Sequence, residues 1–118
     1  MNWDELLTEF CEKEKCSEAQ IMATSQNPFR RREARLMQKK QKEAMAARTA
    51  VQKALEENPH YTREEAYRRA CSFVISGLIL SLLAQAIISV FLKRAIEWFL
   101  DKYYNKETAN GSLSVPAE

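Results

Sequence analysis

Few residues in this chain have types and spacing suited to chemistry. Cys11 and Cys16 lie five positions apart, and His60 is the single imidazole. A structural zinc takes four soft ligands, usually in close pairs such as C-x2-C. Two thiols and a distant histidine fall short of that, so no metal or other cofactor is expected. Cys71 stands at the edge of an apolar run, where a small buried thiol is the plain expectation and acylation the alternative if the run enters a membrane. An odd count of three cysteines suits a reducing compartment better than a disulfide framework. Glu56-Glu57 and Glu64-Glu65 are adjacent carboxylates, but each pair falls at an expected helix end, where capping and the helix dipole account for it before acid-base work does. The sequence has no Gly-rich phosphate loop, no HExxH and no GxSxG, and an enzyme is not expected.

The remaining chemistry is recognition, and it gathers in three places. The first is the run CSFVISGLILSLLAQAIISVFL, residues 71–92, which carries no charge. As a helix it would be about 33 Å long, close to the ~30 Å apolar thickness of a bilayer. Arg68 and Arg69 precede it and Lys93 and Arg94 follow it, where long side chains reach headgroups. Tyr61, Tyr67 and Phe73 on one side, with Trp98, Phe99, Tyr103 and Tyr104 on the other, are placed as an interfacial belt would place them. The sequence therefore predicts a single transmembrane span. Within it Gly77, Ser81, Gln85 and Ser89 recur every four residues, with Ser76 and Ala84 beside them. That pattern reads as a small-residue face on which another membrane helix packs, Gln85 hydrogen-bonding across the contact.

The second place is a basic block. Arg30, Arg31, Arg32, Arg35, Lys39, Lys40 and Lys42 crowd a stretch whose only acids are Glu33 and Glu43. Such a face could contact lipid headgroups or nucleic acid through phosphate, the latter without sequence specificity and sensitive to salt. The third is the N-terminus, where Trp3, Leu6, Leu7 and Phe10 fall at helical spacing and form one apolar face. The polar residues around them are acidic, unlike a secretory or transit signal, so this face is expected to dock on another protein.

The elements that carry these groups follow from composition. Two glycines and three prolines in 118 residues, against abundant Ala, Glu, Lys, Arg, Gln and Leu, predict an all-α chain. Residues 1–27 form short amphipathic acidic helices, with Asn2 as a cap and Ser17 with Gln20 repeating the capping pattern until Asn27-Pro28 stops it. Residues 28–58 form a basic helix whose seam, Met37, Ala44, Ala47, Val51 and Ala54, is mostly alanine and suits close approach to a neighbour. Thr62 with Glu65 opens a further helix that nothing stops before about Tyr104, so 59–104 is expected as one long helix containing the span. Residues 105–118 form a flexible polar tail, with a sequon at Asn110-Gly111-Ser112.

Together these features predict a non-enzymatic structural or assembly protein: a single-pass membrane accessory subunit of a larger complex, its N-terminus cytoplasmic because the basic block precedes the span. Its partners would be proteins, another membrane helix among them, and the bilayer, with homo-oligomers as a variant. Two alternatives use the same residues. One is a small self-associating membrane protein of the holin type. The other is a helical component of a large soluble or virion assembly that meets nucleic acid through its basic helix.

Overall fold

The computed structural model describes residues 1–76 and 89–111, with side chains described as far as residue 105. Five α-helices and no strand make up the described residues: α1 Trp3–Lys13, α2 Glu18–Ser25, α3 Arg31–Glu57, α4 Arg63–Ile75 and α5 Val90–Gly111, with one 3-10 turn, Pro28–Arg30, before α3.

Local hydrogen bonds set most of the boundaries. Asn2 Oδ1 accepts from the backbone N–H groups of Asp4 and Glu5, both at 3.1 Å. Ser17 and Gln20 form a reciprocal capping box, as do Thr62 and Glu65, and each box satisfies amides that a helix start leaves unpaired. Lys15 takes a positive φ of 62° and turns the chain between α1 and α2. Asn27 Oδ1 accepts from Phe29 N and Asn58 Oδ1 from His60 N, each at 2.9 Å, so both Asn-Pro dipeptides punctuate as the sequence reading expects.

At the centre stands α3. Ala44, Ala46, Ala47, Ala50, Val51 and Ala54 are all fully buried, a wider band than one seam, because α4, α5 and α1 all pack against this helix. Alanine is what permits so many close neighbours, since a larger side chain at these positions would hold the helix axes apart. From α4 come Ala66, Ala70, Phe73 and Val74, and from α5 Leu92, Ala95, Ile96, Phe99 and Leu100.

In place of the single helix expected over 59–104, the chain reverses. Helix α4 ends at Ile75, with Ser76 as its cap, and α5 begins anew at Val90. The two run antiparallel. Arg63, the first residue of α4, pairs with Asp101 far along α5 at 2.6 Å, and the Tyr104 hydroxyl donates to the Tyr61 carbonyl, also at 2.6 Å. The physical reason is burial. An unbroken helix of some forty residues would run about 60 Å, whereas α3 spans about 40 Å, so one half would leave its apolar face uncovered. Folding back lets both halves bury that face on α3. Among the described residues no helix is long and apolar enough to cross a membrane.

The N-terminal face also has a different occupant from the one expected. Phe10 is 1% exposed, its ring 5.1–5.7 Å from those of Trp98, Phe99 and Phe91, and Trp3 stacks on Tyr103. Leu6 and Leu7 are half-buried against the same core. The face predicted to dock on another protein thus docks on the chain's own α5. Ion pairs fix the register: Asp4 with Arg48 of α3 at 2.6 Å, Glu9 with Lys102 at 3.0 Å and Glu14 with Arg94 at 2.8 Å.

Candidate functional site

The end of the bundle at which α4 stops and α5 starts brings a buried carboxylate, a helix cap and exposed apolar side chains together. Ser89 organises it. Its hydroxyl oxygen accepts from Leu92 N at 3.0 Å, capping α5, while its O–H donates to Glu43 Oε1 at 3.1 Å. Glu43 is a buried carboxylate on α3, so this bond fixes the start of α5 at the Glu43 level of α3. On either side of the cut the chain shows apolar side chains to solvent: Ile75 is 63% and Val90 76% exposed. Lys93 and Arg94 of the first turn of α5 are exposed beside them.

The predicted packing stripe is only partly described. Ser76 is exposed at the end of α4, its hydroxyl donating to the Phe73 carbonyl at 3.1 Å, and Ser89 is the cap just described. Gly77, Ser81, Ala84 and Gln85 lie outside the described residues. Ser76 and Ser89 are therefore boundary residues in this fold. A serine whose side chain bonds nearby backbone competes with helix continuation, and that signal was already present in Ser76-Gly77.

On the N-terminal side of Glu43 the first three turns of α3 carry the basic block. Arg31, Arg32, Arg35, Lys39 and Lys42 are exposed, and among the described residues no carboxylate lies within ion-pair distance of them. Two of the predicted phosphate contacts are engaged elsewhere. Arg30 makes a two-pronged bond to Glu33 at 2.8 and 2.6 Å. Lys40 is half-buried, donating to the Glu14 carbonyl at 3.3 Å with its ammonium over the Phe91 ring.

Phe29 was not a predicted site residue, yet it is 95% exposed, held on the 3-10 turn. The signal was available in sequence: three and four residues on stand Arg32 and Glu33, so no apolar neighbour exists on its helical face. Leu36, two turns beyond Phe29, is 59% exposed.

The other candidates for chemistry resolve into structure. Among the described residues no group of three His, Cys, Asp or Glu side chains could hold a metal ion. Cys11 and Cys16 are both buried free thiols. Their mutual hydrogen bond pushes Cys11 up and draws Cys16 down, with burial adding to the rise at Cys11. Glu57 accepts two bonds from the Arg69 guanidinium, at 2.7 and 2.8 Å, and one from the Tyr61 hydroxyl at 2.7 Å. These bonds, Arg69's foremost, hold its carboxyl down at about 2. An open groove between α1 and α5, lined by Asn2, Glu5, Glu9, Trp98, Asp101 and Lys102 among others, offers mixed charge and no convergent set of donors.

No protein-family model, curated protein or solved structure matches this chain.

Proposed function

We propose that this protein is a non-enzymatic accessory or assembly protein held at a membrane through its uncharged run, with α4 and α5 on the same side of the bilayer. The observation that carries the reading is the pair of exposed apolar residues, Ile75 and Val90, at neighbouring ends of two antiparallel helices. Between these ends the sequence from Gly77 to Ile88 has no charged residue, so the apolar surface facing solvent at the cut adjoins an apolar stretch of chain. Twelve residues that leave Ser76 and return to Ser89 can extend about 20 Å outward at most, short of the ~30 Å core of a bilayer. A single-pass span over 71–92 requires α4 to part from α5 and strip cover from Phe73, Val74, Leu92 and Ile96. Attachment from one side leaves that core intact.

Glu43 bonds Ser89, Glu57 bonds Arg69 and Tyr61, and Glu65 takes part in the cap of Thr62.

Epitope tags at both termini, with protease digestion of sealed membrane vesicles, test the topology. The expected result is that the chain resists carbonate extraction, needs detergent for release, and presents both tags on the same side. Tags on opposite sides would establish a single-pass span and refute one-sided attachment. Release by carbonate would remove the membrane reading altogether.

A further inference from the structure

We infer that the 3-10 turn and the first three turns of α3 form a docking surface for an anionic bilayer, with Phe29 and Leu36 entering the headgroup boundary and Arg31, Arg32, Arg35, Lys39 and Lys42 meeting lipid phosphate. This rests on the proposed membrane attachment and specifies the lipid class that the attachment selects.

Helical spacing puts Arg32, Leu36, Lys39 and Glu43 on one stripe of α3. At Glu43 the stripe meets Ser89 and passes beneath the rest of the bundle. On the N-terminal side of that level Arg32, Leu36 and Lys39 are exposed, and Arg31, Arg35 and Lys42 form the adjoining ridge, also exposed. The surface therefore begins where the uncharged run leaves α4 and returns to α5, so attachment of one brings the other to the same interface.

Its composition selects the partner. Five cations without a carboxylate within ion-pair distance among the described residues attract any polyanion. Leu36 stands among them 59% exposed, however, and Phe29, 95% exposed, stands on the 3-10 turn just before them. A phosphodiester backbone gives Leu36 nothing to bury against, whereas an interfacial amphipathic surface takes both kinds of side chain, with Lys and Arg at the phosphates and Phe and Leu below them. Arg30 and Lys40 take no part, because Glu33 and the Glu14 carbonyl already hold them.

The test is flotation of the full chain with vesicles of phosphatidylcholine alone or with phosphatidylserine admixed, at low and raised salt. Each cation near an anionic surface is worth about fivefold in partitioning. Wild type is expected to prefer the anionic vesicles. The combined variant Arg31→Gln, Arg32→Gln, Arg35→Gln, Lys39→Gln should lose about a hundredfold or more of that preference, with its binding to neutral vesicles and its helical circular dichroism unchanged. Phe29→Ala with Leu36→Ala should weaken anionic binding also at raised salt, where the charge contribution is screened. Equal binding of wild type to both compositions overturns this inference and leaves one-sided apolar attachment standing. Binding to anionic vesicles alone supports the surface and removes the apolar run as the anchor. Binding to neither vesicle overturns both, and displacement from anionic vesicles by equimolar single-stranded DNA overturns the lipid assignment in favour of nucleic acid.

Discussion

Replacing Phe10 by alanine separates two accounts of α1. In the structure its ring is 1% exposed and faces Phe91, Trp98 and Phe99 with centroids 5.1–5.7 Å away. Burying a phenylalanine side chain contributes about 1.5–3 kcal/mol of transfer free energy. Three ring neighbours cannot collapse into the space a phenyl leaves without moving α5, so a cavity penalty adds to this, and the total falls at about 3–5 kcal/mol. A domain of this size is stable by about 5–15 kcal/mol, so Phe10→Ala should remove about a fifth of the stability at the least and most of it in a marginal domain. Urea unfolding followed by far-ultraviolet circular dichroism measures it, with Met22→Ala as the control. Met22 is 55% exposed, and its loss should stay within about 0.5 kcal/mol. If α1 instead served a partner protein, Phe10 would face solvent in the isolated chain and both variants would unfold alike. A Phe10→Ala cost below about 1 kcal/mol would refute the packing of α1 on α5.

Ser89→Ala removes the cap of α5 and one hydrogen bond to buried Glu43, and should cost about 1–3 kcal/mol. Ser89→Asp keeps a cap but sets a second carboxylate against Glu43, so it should unfold no later than the alanine variant. Ala50→Leu, at a fully buried site on α3, should destabilise by about 1–3 kcal/mol through overpacking, although leucine is a good helix former. An unchanged urea midpoint would mean that no neighbour sits close to that face. The Glu57–Arg69 pair sets a pH dependence. Because the folded carboxyl is held down at about 2 from an ordinary 4.5, its stabilisation is complete above the ordinary value and is lost as pH falls toward about 2. Arg69→Gln should flatten stability across that window, and a Glu57 carboxyl titrating at its ordinary value by NMR would contradict the pairing.

The candidate site was legible in part. A count of cations marks residues 30–42 as basic, but it cannot tell that Arg30 turns to Glu33 and Lys40 to the Glu14 carbonyl, while Arg31, Arg32, Arg35, Lys39 and Lys42 stay exposed. The exposure of Phe29 has a sequence signal, the lack of an apolar residue one turn on, but a single residue without a mate forms no apolar stripe. Ser89 matched a packing pattern because it continues the four-residue spacing of Gly77, Ser81 and Gln85, with Ser76 beside that series, and such spacing does not distinguish a serine that caps a helix from one that faces a neighbour.

What the sequence determined by itself is where α1 to α4 start and where α2 and α3 stop; it missed the stop of α4 at Ile75 and the start of α5 at Val90, and it placed a flexible tail where α5 continues to Gly111. Ser17 with Gln20, Thr62 with Glu65, and the Asn-Pro steps at 27 and 58 act through hydrogen bonds within four residues, so local order is enough to read them. Tertiary structure alone decided that α5 turns back along α4 and that α1 finds its partner in α5. Both outcomes depend on apolar faces far apart in the chain competing for cover on α3. Hydropathy records that residues 71–92 and the face of Trp3 and Phe10 must be covered. It carries no information on what covers them, because the free energy of leaving water depends on the apolar area removed and hardly at all on whether lipid or protein replaces the water.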